Sequence, residues 1–269
     1  MWSLTRLPPY ERCCVRLYRR SPLFWSLLWL AAVLPWPVSS WGACDEPPAQ
    51  RVNWLGCDKQ GVDLQGADLR NAVLTQVNFS DAKLVGAKLS GADLGRATLN
   101  RADLSGAALF EARLVAATLE QVRLGGANLT GARLDRAVLK QADLSAADLS
   151  QTRLYQAELN DADLSGAKLA RANLTQANLT NAKLAGADLS EAVLNRAVLE
   201  NAVLSNAKLY RTRLDGANLL MVNFTGADLT EATLAEARID GARFNDAKLD
   251  STIWTDRRRC RPGSVGECH

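Results

Sequence analysis

An apolar residue falls on every fifth position of this chain from Leu64 to Trp254, with no insertion to break the frame. Of these 39 centres, 34 are leucine, and the others are Phe79, Phe224, Ile239, Phe244 and Trp254. Two places before each centre stands a small residue: 32 alanines, four valines (Val62, Val77, Val122, Val222) and three threonines (Thr152, Thr212, Thr252). An α-helix is excluded by geometry. Five steps of roughly 100° turn successive centres by about 140° net, so the leucines would scatter around the axis. A flat strand fails too, because an odd period sends alternate centres to opposite faces. Two inward residues followed by a change of direction every five residues satisfy the pattern. Four such corners close a square coil of about 20 residues, and alanine keeps its interior narrow enough for leucine to fill. Coils bonded as parallel strands roughly 4.8 Å apart would stack about ten deep over roughly 47 Å. Such a solenoid is stabilised by nearest-neighbour stacking.

The segments "ADLSGA", "ANLTQANLT" and "ADLSEAVL" resemble the A-[DN]-L-x-x unit of the pentapeptide-repeat family, and the resemblance covers residues 62–255. It implies an all-β fold, a right-handed quadrilateral parallel β-helix. The flanks "VNWLGCDKQGVDL" and "TIWTDRRRCRPGSVGEC" are similar to those of exported bacterial members.

Outside the repeats the composition changes. Arg6, Arg12, Arg16, Arg19 and Arg20 precede the apolar run "LFWSLLWLAAVL" and the helix-breaking "PWPVSS". This order is that of a secretory signal peptide. The apolar core of twelve residues is short of the roughly 20 that span a bilayer. Residues 1–40 are therefore expected to be a signal peptide cleaved near Ser40, leaving the protein periplasmic or extracellular. The alternative is an uncleaved anchor over residues 22–38, the one route to a membrane. Lipidation of Cys44 is disfavoured by Trp41 three places before it. Residues 41–60 are expected to cap the solenoid, 61–255 to form it, and 256–269 to close its far end as a loop.

Cys13 and Cys14 would leave with the signal, and Cys44, Cys57, Cys260 and Cys268 flank the repeats. An even number of cysteines in an exported chain suggests disulfides. Proximity pairs Cys44 with Cys57 and Cys260 with Cys268. A zinc site is the competing reading, but spacings of twelve and seven intervening residues are not those of a short C-x₂₋₄-C knuckle.

Little in the chain suits catalysis. The sole histidine is the last residue, His269, which argues against a Ser-His-Asp or Cys-His pair. No glycine-rich phosphate loop opens a helix, and carboxylate pairs such as Asp161 and Asp163 occupy ordinary repeat positions. No enzyme activity, cofactor or metal is expected. Attention passes to the surface, where the residues just before the centres form four ladders at intervals of 20. In the second ladder the last six rungs, Asp148 to Lys248, alternate in sign, which would let opposite charges pair between coils. The third reads Val73, Asp93, Arg113, Arg133, Arg153, Asn173, Val193, Arg213, Thr233 and Ile253. Arg96, Arg136 and Arg196 lie at the adjoining corner. Together with Arg113, Arg133, Arg153 and Arg213 they form the candidate binding face, with Asp135 taken as the nearby acid.

The expected function is an exported, non-enzymatic scaffold whose flat faces meet a protein or an anionic envelope component. Some members of the resembling family mimic DNA and bind gyrase, giving fluoroquinolone resistance. B-DNA carries one negative charge per about 1.7 Å. Residues 61–255 hold 23 acids and 21 bases, a net of −2, which disfavours that mimicry, as does an export signal. No nucleic-acid partner is expected.

Overall fold

The computed structural model describes residues 43–269. The segment read as signal peptide or anchor, with Cys13 and Cys14, lies outside the described residues. No helix among the described residues is long and apolar enough to cross a membrane.

Each pentapeptide contributes one bridging residue, the one before its centre, and this residue pairs in parallel with the residues 20 before and 20 after it. On the third face the series runs unbroken from Asn53 through Val73, Asp93 and Arg113 to Ile253. Four such ladders make the sides of a right-handed quadrilateral parallel β-helix. Three of the five backbone N–H groups in a unit bond to neighbouring coils. In the unit of Leu94, the Leu94 N–H donates to the Arg113 C=O at 2.7 Å, Arg96 to Val115 at 3.0 Å and Asp93 to Ala72 at 2.9 Å. A fourth closes the corner: the Ala97 N–H donates to the Leu94 C=O at 3.0 Å. The second central residue of that turn, Arg96, has φ of 56°. This is a type II turn, which requires positive φ at that place. The same φ recurs at every corner, so glycine is favoured there, and Gly126 and Gly166 take it with nothing near a would-be Cβ.

The fifth N–H follows the centre and has no backbone partner. Aspartate or asparagine before the centre captures it. The Gly95 N–H donates to Asp93 Oδ1 at 2.9 Å, and those of Ser105, Ser145 and Ser165 donate to Asp103, Asp143 and Asp163 at 2.9–3.0 Å. A buried or half-buried N–H left without a partner is costly. The acidic residue of the repeat is thus a local turn fastener as well as a surface charge. This changes the expected charge ladder. Within the alternating run on the second face, one pair, Lys248 with Asp228, comes within salt-bridge distance, at 3.9 Å. The other carboxylates of the run are drawn back to their turns, as Asp148 is to the Ser150 N–H at 3.0 Å.

The core is a column of leucine with alanine between, nearly all of it without solvent exposure. The inward threonines keep their hydroxyls satisfied: Thr152 Oγ1 donates to the Leu149 C=O, Thr212 to Leu189 and Thr252 to Leu229, at 2.7–2.8 Å.

Both expected disulfides are present, Cys44–Cys57 and Cys260–Cys268. Asn53 and Asp58 already bridge to Val73 and Asn78, so the segment expected to cap the solenoid also carries its first rungs. Trp54 is buried in the end of the core, edge-on to Phe79. Lys59 fills the next centre slot and is half-buried. Its ammonium lies 4.2 Å from the Trp54 ring centroid and donates to the Cys44 C=O. At the other end Arg259 and Val265 pair antiparallel with Ile253 and Lys248. The closing loop therefore covers two sides of the coil and leaves Trp254 half-buried, its ring tilted 57° to that of Phe244 at 5.1 Å between centroids. On the other two sides the N–H groups of Ile239 and Phe244 have no hydrogen-bond acceptor among the described residues.

Candidate functional site: the arginine face

The seven candidate arginines lie along one side of the coil and its adjoining corner, as the 20-residue register demands. They are not equally free. Arg113 Nη1 reaches the carboxylate of Asp93, one rung below, at 3.1 Å. Arg133 and Arg153 flank Asp135, at 3.8 and 3.3 Å. Arg213 stands 3.9 Å from Asp215. Asp135 is only 8% exposed, although it follows the centre at a corner, with the two guanidiniums beside it. Neither of its buried oxygens has a hydrogen bond, so the two guanidiniums hold it by charge rather than by directed donors. Asp135 is therefore not the sole acid of the stripe. Asp93 is the second, and its position 20 before Arg113 carried the signal. Arg133, Arg136, Arg153, Arg113 and Arg96 against these two acids leave an excess of three positive charges over about four coils.

The corner arginines differ. Arg96, Arg136 and Arg196 have φ of 56°, 59° and 57° and project from the turn into solvent. None makes an ion pair among the described residues. Arg136 Nε donates to Gln156 Oε1 at 3.4 Å, a long bond. Between Arg96 and Arg136 in the corner column stands Ala116, and its short side chain opens a hollow of about 330 Å³ walled by Arg96, Arg113 and Arg136. Gly95 forms part of its lining, and a Cβ there would lie 3.1 Å from both Arg113 Nη1 and Asp93 Oδ1. A second hollow, of about 400 Å³, lies further along the same face beside Arg196 and Arg213. The structure thus gathers Arg96, Arg113 and Arg136 in one place and Arg196 and Arg213 in another, with Arg133 and Arg153 closed over Asp135 between them. The hollows went unread in the sequence. Their signal was a short residue between two long ones at intervals of 20.

No group of three or more His, Cys, Asp or Glu side chains among the described residues is arranged to hold a metal ion. His269 lines a hollow of about 520 Å³ at the far end of the coil, together with Asp246 and Glu267.

The model of the pentapeptide-repeat family matches the chain in eight copies, over residues 60–219 and 221–253. Among solved structures the chain is similar to HetL, a pentapeptide repeat protein involved in heterocyst differentiation regulation in the cyanobacterium Nostoc sp. strain PCC 7120. The two are 32% identical over 78% of this chain and 92% of that one, with a TM-score of 0.34. It is similar to Rfr23 of the cyanobacterium Cyanothece 51142, 31% identical over 49% of this chain and 90% of that one, with a TM-score of 0.34. QnrB1, a plasmid-mediated fluoroquinolone resistance protein, is 18% identical over 71% and 89% of the two chains, with a TM-score of 0.31. No curated protein matches.

Proposed function

Because this chain belongs to the pentapeptide-repeat family, a family of binding and scaffold proteins, we propose that it is an exported, non-enzymatic scaffold whose arginine face engages an anionic partner. The observation that carries the reading is the local charge. On this one side and its adjoining corner, three positive charges in excess sit along about four coils, in a repeat body whose net charge is −2. Stacked like charges at this spacing repel one another, and an anionic polymer or acidic protein face relieves that repulsion on binding. Arginine offers a planar fork that suits carboxylate, sulfate or phosphate. Export is supported by the order of basic, apolar and small residues in 1–40. DNA mimicry would need dense negative charge along the coil, which a body at −2 lacks. Likeness to QnrB1 at 18% identity concerns the fold alone.

The test is binding to anionic envelope polymers and to vesicles of anionic lipid, at rising salt. Replacement of Arg113, Arg133 and Arg153 by Gln should weaken binding, and salt should weaken it for the native chain, since exposed charges are screened within about 8–10 Å. Replacement of Lys168, Lys208 and Lys248 by Gln, on the second face, should leave it unchanged. A folded arginine triple variant that binds as tightly as the native chain would reduce the stripe to a solvated surface.

A further inference from the structure

The two hollows are copies of one position in the frame. Each residue lining the first has a counterpart 100 residues on, five coils along, that lines the second. Thr75, Gln76, Arg96 and Arg113 recur unchanged as Thr175, Gln176, Arg196 and Arg213. The backbone repeats as well: φ is 56° at Arg96 and 57° at Arg196, 59° at Arg136 and 60° at Glu236. What differs is the charge. Val115 is replaced by Asp215, and Arg136 by Glu236. Gly95 is replaced by Asn195, whose Oδ1 accepts the Asp215 N–H at 3.3 Å. The first hollow is lined by three guanidiniums and no carboxylate, the second by two of each.

The chain thus contains its own comparison: one backbone shape, neutralised from within at one place and left positive at the other. In the positive hollow Arg113 already shares Asp93, so two guanidiniums, Arg96 and Arg136, stand without a counter-charge. Two unmatched charges suit a dianion better than a single carboxylate. The space, about 330 Å³, is many times the roughly 30 Å³ share of a water molecule, so it admits a group of several heavy atoms. Thr75 and Gln76 add uncharged donors to the wall. We propose that this hollow is a discrete site for a dianionic tetrahedral oxyanion, the phosphate group of a monoester, clamped by Arg96 and Arg136 with Arg113 as a third donor. A phosphate monoester carries about −1.5 to −2 charges at neutral pH, and charge-assisted bonds to arginine are among the stronger hydrogen bonds. The inference rests on the reading of this face as the binding face and narrows it to one point.

The experiment is calorimetric titration of the full-length chain with inorganic phosphate, and separately with acetate, at neutral pH and constant ionic strength. The decisive variants are Arg136→Glu and Val115→Asp, which give the first hollow the carboxylates of the second. Both substitutions already exist at the same frame position five coils on, so the fold tolerates them, and an unchanged melting temperature verifies it. Each places a carboxylate in the hollow and should weaken phosphate binding about tenfold or more, at least the size of one lost hydrogen bond to a charged group. Lys208→Gln, on the second face, should leave it unchanged, and acetate should bind more weakly than phosphate. No phosphate binding by the native chain, equal binding by Arg136→Glu, or acetate binding as tight as phosphate would each overturn the proposal. Its failure is separable from that of the function proposed above. Polymer binding that depends on the arginine triple without a phosphate site removes only the site. A phosphate site without polymer binding removes only the broader function.

Discussion

Leu149 and Ser150 are neighbours in one pentapeptide, and only the first points into the core. Leu149 has no solvent exposure, whereas Ser150 lies partly exposed at the turn. The leucine column is packed from above and below, so truncation leaves a cavity that the coils cannot close without breaking the ladders. Leu149→Ala should therefore cost about 2–5 kcal/mol. Ser150→Ala loses the hydroxyl bond to Asp148 at a partly exposed turn but keeps the backbone N–H that Asp148 accepts, and should cost about 1 kcal/mol or less. Denaturant unfolding of the two variants checks this, and equal costs would contradict the inward frame. The same scale explains the repeat itself. Leucine fills, alanine leaves room, and the acid or amide before leucine fastens the one N–H that the coil cannot use.

At the scale of the turn, the carboxylates make the solenoid sensitive to acid. Burial pushes the Asp103 carboxyl upward, but bonds from the Arg123 guanidinium and from the Ser105 hydroxyl and N–H outweigh it and hold it below the ordinary value. Asp148 and Asp163 are lowered in the same way, with burial opposed by Ser150 and Ser165. A carboxyl depressed in the folded state contributes stability that is fully present above its unfolded value and is lost as pH falls through the folded one. The melting temperature should therefore be flat near neutrality and fall once pH drops through and below the ordinary carboxylate range. A variant with Asp103, Asp148 and Asp163 all changed to Asn keeps an acceptor for each turn, as Asn173 and Asn223 already provide elsewhere. Its acid loss should be shallower than that of the native chain. An equally steep loss would place the titrating groups elsewhere.

Across the whole solenoid, each coil meets only its neighbours, so the ends open independently of the middle. The two disulfides close short loops, with sequence separations of 13 and 8, and both lie outside the central coils. Clips of this kind contribute about 2–4 kcal/mol, mostly by restricting the open chain. Reduction should speed hydrogen exchange in residues 43–60 and 249–269 and leave the coils around Leu149 unchanged. Mass-resolved exchange of the native and reduced forms measures this. Uniform acceleration along the chain would mean that the coils unfold as one unit. The far end should open first, because its loop pairs with Ile253 and Lys248 but leaves the edge at Ile239 and Phe244 uncovered.

The sequence by itself determined the coil. A period of five with two inward residues admits one kind of solenoid, and the register of 20 then follows. That register assigns every residue of the repeats to a face before any contact is seen, which is why the stripe from Arg113 to Arg153 was legible; the cysteine pairs were legible from their even number and short separation outside the repeats. Partnership was decided by the tertiary structure. A ladder lists neighbours, but whether Asp148 turns to Lys168 or back to its own turn depends on an N–H with no other acceptor. Likewise Asp135 is buried beside two guanidiniums from adjacent coils, and the positive hollow lies where Ala116 is short between Arg96 and Arg136. Such features depend on side-chain lengths and on competition for a few polar atoms across coils. A one-dimensional period does not encode them.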